Sequence, residues 1–249
     1  MNDVIKTILN HRSIRKFEDK TLSDEQIKLI VQSAQAASTS SYIQAYSIIG
    51  VKDKEKKQKL AELAGGQNYV AENGHFFVFC ADLHRHQLIA DQYHQDASEN
   101  LESTEKFMVA VIDAALAAQN AVLAAESMEL GAVYIGGLRN QLSEVSSLLK
   151  TPSHVLPLFG IAVGYPAQEP DQKQRLPFEH VYHEDEYQQD QTSYLSQLKE
   201  YDQQISAYYE QRTNGERKDT WTGQMARLLS RPTRMYMKEF VEKKGFNKR

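Results

Sequence analysis

With 249 residues, 41% of them apolar, and a formal charge of −4, the chain suits one large domain or a domain with a substantial extension, and it can bury a real core. The slightly acidic balance argues against a nucleic-acid partner held on a basic face, and a single cysteine excludes an intramolecular disulfide and fits a reducing compartment. The first residues lack an apolar leader with a cleavage site, and no run of about eighteen apolar residues stands out, so the expectation is a soluble cytoplasmic protein without a spanning helix. After a short helix-like start comes HRSIRKF, which sets His11, Arg12, Arg15 and Lys16 close together around Ser13. TLSDEQIKLIVQSAQAAS then predicts a helix, with Ser23 and Gln26 as a capping box and Ile27, Ile30, Val31 and Ala34 on one face. AYSIIGV and FFVFCAD are short, apolar and β-rich, and read as buried strands separated by a Gly-Gly loop, GGQNYV.

The longest helical pattern covers residues 104–129. Its centre, AVIDAALAAQNAVLAAE, is apolar or small on nearly every face, which predicts a helix buried all round, either the core helix or a subunit interface. GAVYIGG is a strand ending in two glycines, and VLPLFGIAVGYP another, closed by Pro166. From residue 168 the chain turns polar. YLSQLKEYDQQISAYYEQR is helical, and the last part gives two helices broken near Pro232. This tail is poor in aliphatic residues, so it is expected to wrap the main domain or a second subunit. No GxGxxG or GxxxxGK[ST] unit is present, which disfavours a Rossmann domain and a P-loop.

Several clusters carry chemistry. Arg12 and Lys16 suit a phosphate, Ser13 and His11 add donors, and a distant pair, Lys173 and Arg175, could pinch the same group from another side. The same residues also read as a solvated turn. ASTSS (37–41), GGQ (65–67) and YIGG (134–137) offer hydroxyls and unobstructed backbone N–H groups to a planar polar ring, and equally suit ordinary turns. EQRTNGERKDTW (210–221), with Arg212, Arg217 and Lys218 around a glycine, reads as a mobile basic loop. His84 and His86 lack the i, i+4 spacing of a helical metal site, so no metal is expected, and Cys80 reads as a buried, inert strand residue. Neither a nucleophile elbow nor a carboxylate pair is evident. Binding features without a side-chain catalyst point to a cofactor that carries the reaction.

HRSIRKF, ASTSSYIQAYSIIGV, GGQNYV, AAESMELGAVYIGGLRN, LPLFGIAVGYPA, KQRLP and YYEQRTNGERKDTW, in this order over the whole chain, resemble the NADPH-preferring branch of the FMN-dependent nitroreductase/flavin reductase family, in the manner of the Gram-positive NADPH-dependent oxidoreductases. The resemblance implies an α+β fold with a central, mainly antiparallel sheet flanked by helices. It implies an FMN-binding core over 1–167 and a C-terminal extension over 168–249, in the same structural unit, that wraps the partner of an obligate homodimer. One FMN per subunit would lie at the interface. Carried over by position, His11, Arg12, Ser13, Lys173 and Arg175 would hold the flavin phosphate, and Arg15 would approach the N1/O2 edge. Thr39, Gln67 and the Tyr134–Gly137 strand end, through the backbone of Ile135, Gly136 and Gly137, would face the ring. Position 39 is Thr where serine is usual, and position 174 is Gln where proline is usual.

The implied reaction is ping-pong hydride transfer from NADPH to flavin N5, followed by two-electron reduction of nitroaromatics, quinones, free flavin, azo dyes or some disulfides at the same face. No side-chain acid or base is needed. Arg15 would stabilise the reduced ring electrostatically, and Arg212, supported by Arg217 with Lys218 as a bystander, would bind NADPH. Two other readings stay open: a flavin-binding module without turnover, such as a redox sensor or flavin store, and an enzyme of the same fold with a different flavin reaction.

Overall fold

A computed structural model describes residues Met1–Arg249. The chain divides into two units, Met1–Gln172 with Arg234–Arg249, and Lys173–Thr233.

The first unit is built on four strands, β1 (Tyr46–Val51), β2 (His75–Asp82), β3 (Gly131–Ile135) and β4 (Val155–Gly164), in the order β1-β2-β4-β3 with every neighbour antiparallel. The fold is therefore mixed α+β around an antiparallel sheet. β2 is buried at every position, as its unbroken apolar run requires in the middle of a sheet covered on both faces. Helices α1 (Asp3–Leu9), α2 (Asp24–Gln35), α3 (Lys54–Leu63), α4 (His84–Gln92), α5 (Ser98–Leu101), α6 (Thr104–Ser127), α7 (Leu142–Leu148) and α10 (Met237–Lys243) belong to this unit. At the start of α2 both bonds of the Ser23–Gln26 capping box form.

α6 is the core helix. It packs against α2, β1, β2 and β3, and its alanines at 110, 114, 117, 118, 121 and 125 let these elements approach closely. It is long and apolar enough to cross a membrane by length and composition. That corrects the expectation that no such stretch exists; a core helix of a folded domain meets the same criteria. The helix is also not buried all round. Met108, Ile112 and Leu116, spaced four residues apart, are about half exposed and form an uncovered apolar stripe.

The tail does not behave as one piece. Residues 234–249 return to the first unit, where Phe246 is fully buried and the Tyr236 hydroxyl both donates to the Arg139 carbonyl at 2.8 Å and accepts from the Leu142 N–H at 2.9 Å. The second unit contains α8 (Gln191–Arg212) and α9 (Trp221–Leu229). Tyr201, Ile205 and Tyr209 form one buried stripe of α8 and pack with Leu176, Tyr208 and Trp221. This small core is mainly aromatic, which is how a segment short of aliphatic residues still buries apolar area.

Candidate functional site

The basic segment lies along the edge of the sheet. Ser13 bridges Ala132 of β3 in parallel fashion, the Ile14 N–H donates to the Ala132 carbonyl at 3.0 Å, and Phe17 bridges Pro166. Ile14 and Phe17 are the apolar residues of the stretch, and each faces a glycine. A Cβ at Gly131 would fall 2.6 Å from Ile14, and one at Gly164 would fall 2.9 Å from Phe17. The two glycines thus let the segment seat, and the polar residues between its anchors are left to face outward.

His11 Nδ1 lies 2.5 Å from Glu126 Oε1. Arg12 donates through Nη1 to Glu169 at 2.7 Å, while its Nε is buried with no partner. A cleft of about 820 Å³ opens here, bounded by Arg12, Ile14, Glu126, Gly131, Pro166 and Glu169. Arg15 is exposed and reaches only the Ser13 carbonyl, at 3.5 Å, so its guanidinium is free for another partner.

Two further segments meet at the end of β3. Gly65 and Gly66, at φ of 92° and 75°, reverse the chain after α3. Gln67 then donates to the Ala64 carbonyl at 2.6 Å and accepts from the Tyr69 hydroxyl at 2.5 Å. Gly137 sits directly against this turn, since a Cβ there would come within 2.4 Å of both the Ala64 carbonyl and Gln67 Nε2. Ile135 is buried and Gly136 follows it into a short 3-10 turn. Tyr134 is partly exposed and its hydroxyl donates to Gln119 at 3.3 Å. Burial, and then the charge of Glu126, push that hydroxyl up to about 12, so it remains a donor near neutral pH.

Thr39 precedes a strained loop in which Ser41, Tyr42 and Gln44 adopt φ of 49°, 58° and 54°. Positive φ at three non-glycine residues is costly and persists only when the surroundings enforce it. The enforcing group is Asp113 of α6, fully buried, whose two oxygens accept the Ser40 and Ala45 N–H groups at 3.0 Å each. Three polar residues of α6 therefore hold three parts of the site: Asp113 the loop after Thr39, Gln119 the Tyr134 hydroxyl, and Glu126 the His11 ring. None was singled out from the sequence. The available signal was their presence inside an otherwise small and apolar run.

Lys173, Arg175, Arg212 and Arg217 belong to the second unit. Lys173 and Arg175 line a cavity of about 530 Å³ with Tyr201, Tyr209 and Trp221. Gln174 is held there by its carbonyl, which accepts the Tyr201 hydroxyl at 3.2 Å. Arg217 pairs with Asp219 at 2.8 Å and Lys218 with Glu210 at 2.8 Å. Arg212 makes no ion pair and rests on the Tyr208 hydroxyl at 3.1 Å. Its charge is thus the least compensated of the three.

The nitroreductase family model matches residues 8–165, and the model of the family's C-terminal domain matches residues 173–249. The chain belongs to the nitroreductase family. Among nitroreductase relatives, it is 57% identical to the FMN reductase (NADPH) of Bacillus subtilis (strain 168), over all of both chains. The solved structure of B. megaterium NfrA1 superposes with a TM-score of 0.98 at 70% identity, covering 99% of this chain and 100% of that one. The NADPH:FMN oxidoreductase from Vibrio harveyi complexed with NAD+ superposes with a TM-score of 0.90 at 41% identity over all of both chains.

The residues present fit a flavin mononucleotide. Arg12 offers a buried, unpartnered Nε beside an open cleft, with Ser13 and His11 next to it, a donor set suited to a phosphate. Near the end of β3, Gly65 and Gly66 are exposed beside Gln67, and no atom lies within 4 Å of a Cβ built at Gly66, so a planar ring can approach the backbone there, while Gly137 is packed against the same turn.

Proposed function

We propose that this nitroreductase is an FMN-containing, NADPH-dependent oxidoreductase that works as a cytoplasmic homodimer. The observation that carries the reading is the HRSIRKF segment: it is anchored to the β3 edge at Ser13 and Ile14, and it leaves Arg12 Nε without a partner at a cleft.

When bound, FMN supplies hydride acceptance from NADPH and two-electron reduction of a nitroaromatic, quinone, free flavin or similar acceptor. The protein's own residues bind and orient. His11, Arg12 and Ser13, with Lys173 and Arg175, hold the phosphate. Thr39, Gln67 and the Tyr134–Gly137 backbone position the ring, on supports fixed by Asp113, Gln119 and the Ala64–Gln67 turn. Arg15 supplies positive charge toward the N1/O2 edge, where negative charge grows on reduction. Arg212, with Arg217, recognises the 2′-phosphate of NADPH. The stripe of Met108, Ile112 and Leu116 is covered by the second subunit.

The test is the visible spectrum of the purified protein, followed by anaerobic addition of NADPH. A flavin spectrum that bleaches supports the reading. A flavin spectrum that persists makes the chain a binding module, and a colourless protein that takes up no FMN removes the cofactor assignment.

A further inference from the structure

The cations given to two different ligands meet at one side chain of the second unit. The Tyr209 ring has the Arg217 guanidinium 4.6 Å from its centroid and the Lys173 ammonium 5.8 Å from it. Tyr209 is buried in the aromatic core, edge-on to Tyr208 at 5.5 Å, and Tyr208 in turn carries Arg212. The Tyr209 hydroxyl approaches Gln224 at 3.4 Å, and its carbonyl accepts the Thr213 hydroxyl at 2.7 Å, whose oxygen accepts the Arg217 N–H at 2.9 Å. One residue thus touches the phosphate loop, the helix that ends at Arg212, and the turn that starts the basic loop.

We propose that Tyr209 is a positioning residue that holds Lys173 and Arg217 in place for their ligands and so ties flavin-phosphate binding to NADPH recognition. Two like charges beside one ring repel each other, and the negative face of the ring offsets that repulsion. The phenol responds to the same field. Burial alone would raise its pKa, but hydrogen bonding with Lys173 and Gln224 and the charges of Lys173 and Arg217 outweigh this and lower it. The surroundings therefore favour added negative charge, as two phosphate sites should. Without the ring, Lys173 loses the surface that orients it and Arg217 is left with its ion pair to Asp219, although neither is itself altered.

The inference rests on the proposed FMN and NADPH roles, and the experiment separates the two. In the reconstituted holoenzyme, FMN dissociation is followed by flavin fluorescence, and binding of 2′,5′-ADP, which carries the 2′-phosphate, is followed by calorimetry. Tyr209→Phe keeps the ring but deletes the hydroxyl that meets Lys173 and Gln224, so it is the reference against which the part of the ring face itself is measured. Pentafluorophenylalanine at position 209 keeps the shape and removes the negative face. Relative to Tyr209→Phe, it should weaken both FMN and 2′,5′-ADP by roughly two- to thirtyfold, the range expected for lost cation–π contacts. Adding Arg217→Ala to that variant should weaken 2′,5′-ADP no further than Arg217→Ala combined with Tyr209→Phe. Pentafluorophenylalanine that leaves both affinities at the Tyr209→Phe values, or strictly additive effects with Arg217→Ala, overturns the positioning role. If Lys173→Ala and Arg217→Ala themselves leave FMN and 2′,5′-ADP unchanged, the ligand assignments fail instead.

Discussion

Replacing Asp113 tests whether α6 organises the loop after Thr39, which is proposed to face the flavin. The carboxylate is fully buried and accepts two backbone N–H groups, from Ser40 and Ala45, at 3.0 Å each. Asp113→Ala leaves both donors without a partner, at about 1–3 kcal/mol each. Part of this is offset because a buried carboxylate is itself costly, which leaves a net loss of about 2–4 kcal/mol. For a domain of this size that corresponds to a fall in Tm of roughly 4–16 °C. Asp113→Asn is nearly isosteric, but it turns one acceptor into a donor that faces an N–H, so it should lose half or more of the same amount. Because the bonds also hold Ser41, Tyr42 and Gln44 at positive φ, both variants should let the loop relax and weaken FMN binding. Urea unfolding and flavin fluorescence measure the two effects. An Asn variant within 0.5 kcal/mol of the parent (about the spread of neutral surface changes) and with unchanged FMN affinity would refute the reasoning, since shape alone would then explain the position.

Arg12→Ala with Lys173→Ala should release FMN, each lost charge-assisted bond weakening it by about 1.5–3 kcal/mol, and ultrafiltration of the loaded protein will show retention if the phosphate assignment is wrong. Arg212→Ala should raise the KM for NADPH roughly ten- to a hundredfold while leaving NADH and FMN content nearly unchanged; equal losses with both nucleotides would place the loop in folding instead. Ile112→Glu with Leu116→Glu alters only the exposed stripe of α6 and should give monomers in sedimentation without loss of secondary structure, whereas an unchanged dimer would mean that another face is used. His75 is buried, and burial, with the charges of Lys52 and Lys57 adding to it, depresses its pKa from 6.5 to about 4. The unfolded chain then binds the proton more readily, so stability is full above about pH 6.5 and falls toward pH 4, by about 3 kcal/mol at 1.36 kcal/mol per unit. Denaturant midpoints of the parent and His75→Asn should diverge over this window, and parallel pH profiles would contradict it.

The elements were legible where one face or one run decides the matter. The capping box at Ser23, the four apolar strands and the long alanine-rich helix all form at or near the expected positions. The burial of α6 was not legible, because Met108, Ile112 and Leu116 look like core residues until their neighbours are known. The split of the tail was hidden for the same reason: Phe246 and Tyr236 find partners more than ninety positions away, which no local pattern encodes. In the candidate site, the charged and glycine-rich motifs stand out in the sequence because their chemistry is local. The supporting residues Asp113, Gln119 and Glu126 do not, since each acts on a loop distant in sequence.

β3 is the outermost strand on one side of the sheet, and an outermost strand is a template for pairing with other chains. Here the free edge is occupied at Ala132 by the stretch that carries Arg12 and Ser13. The same residues therefore guard against self-association of the sheet. A change that lifts this stretch, such as a bulky residue at Gly131, should do more than empty a ligand site: it should bare a sticky edge. Inclusion-body formation and loss of colour would then arise together from one substitution, and solubility in the expressing cell becomes an indirect reporter of how well the segment is seated.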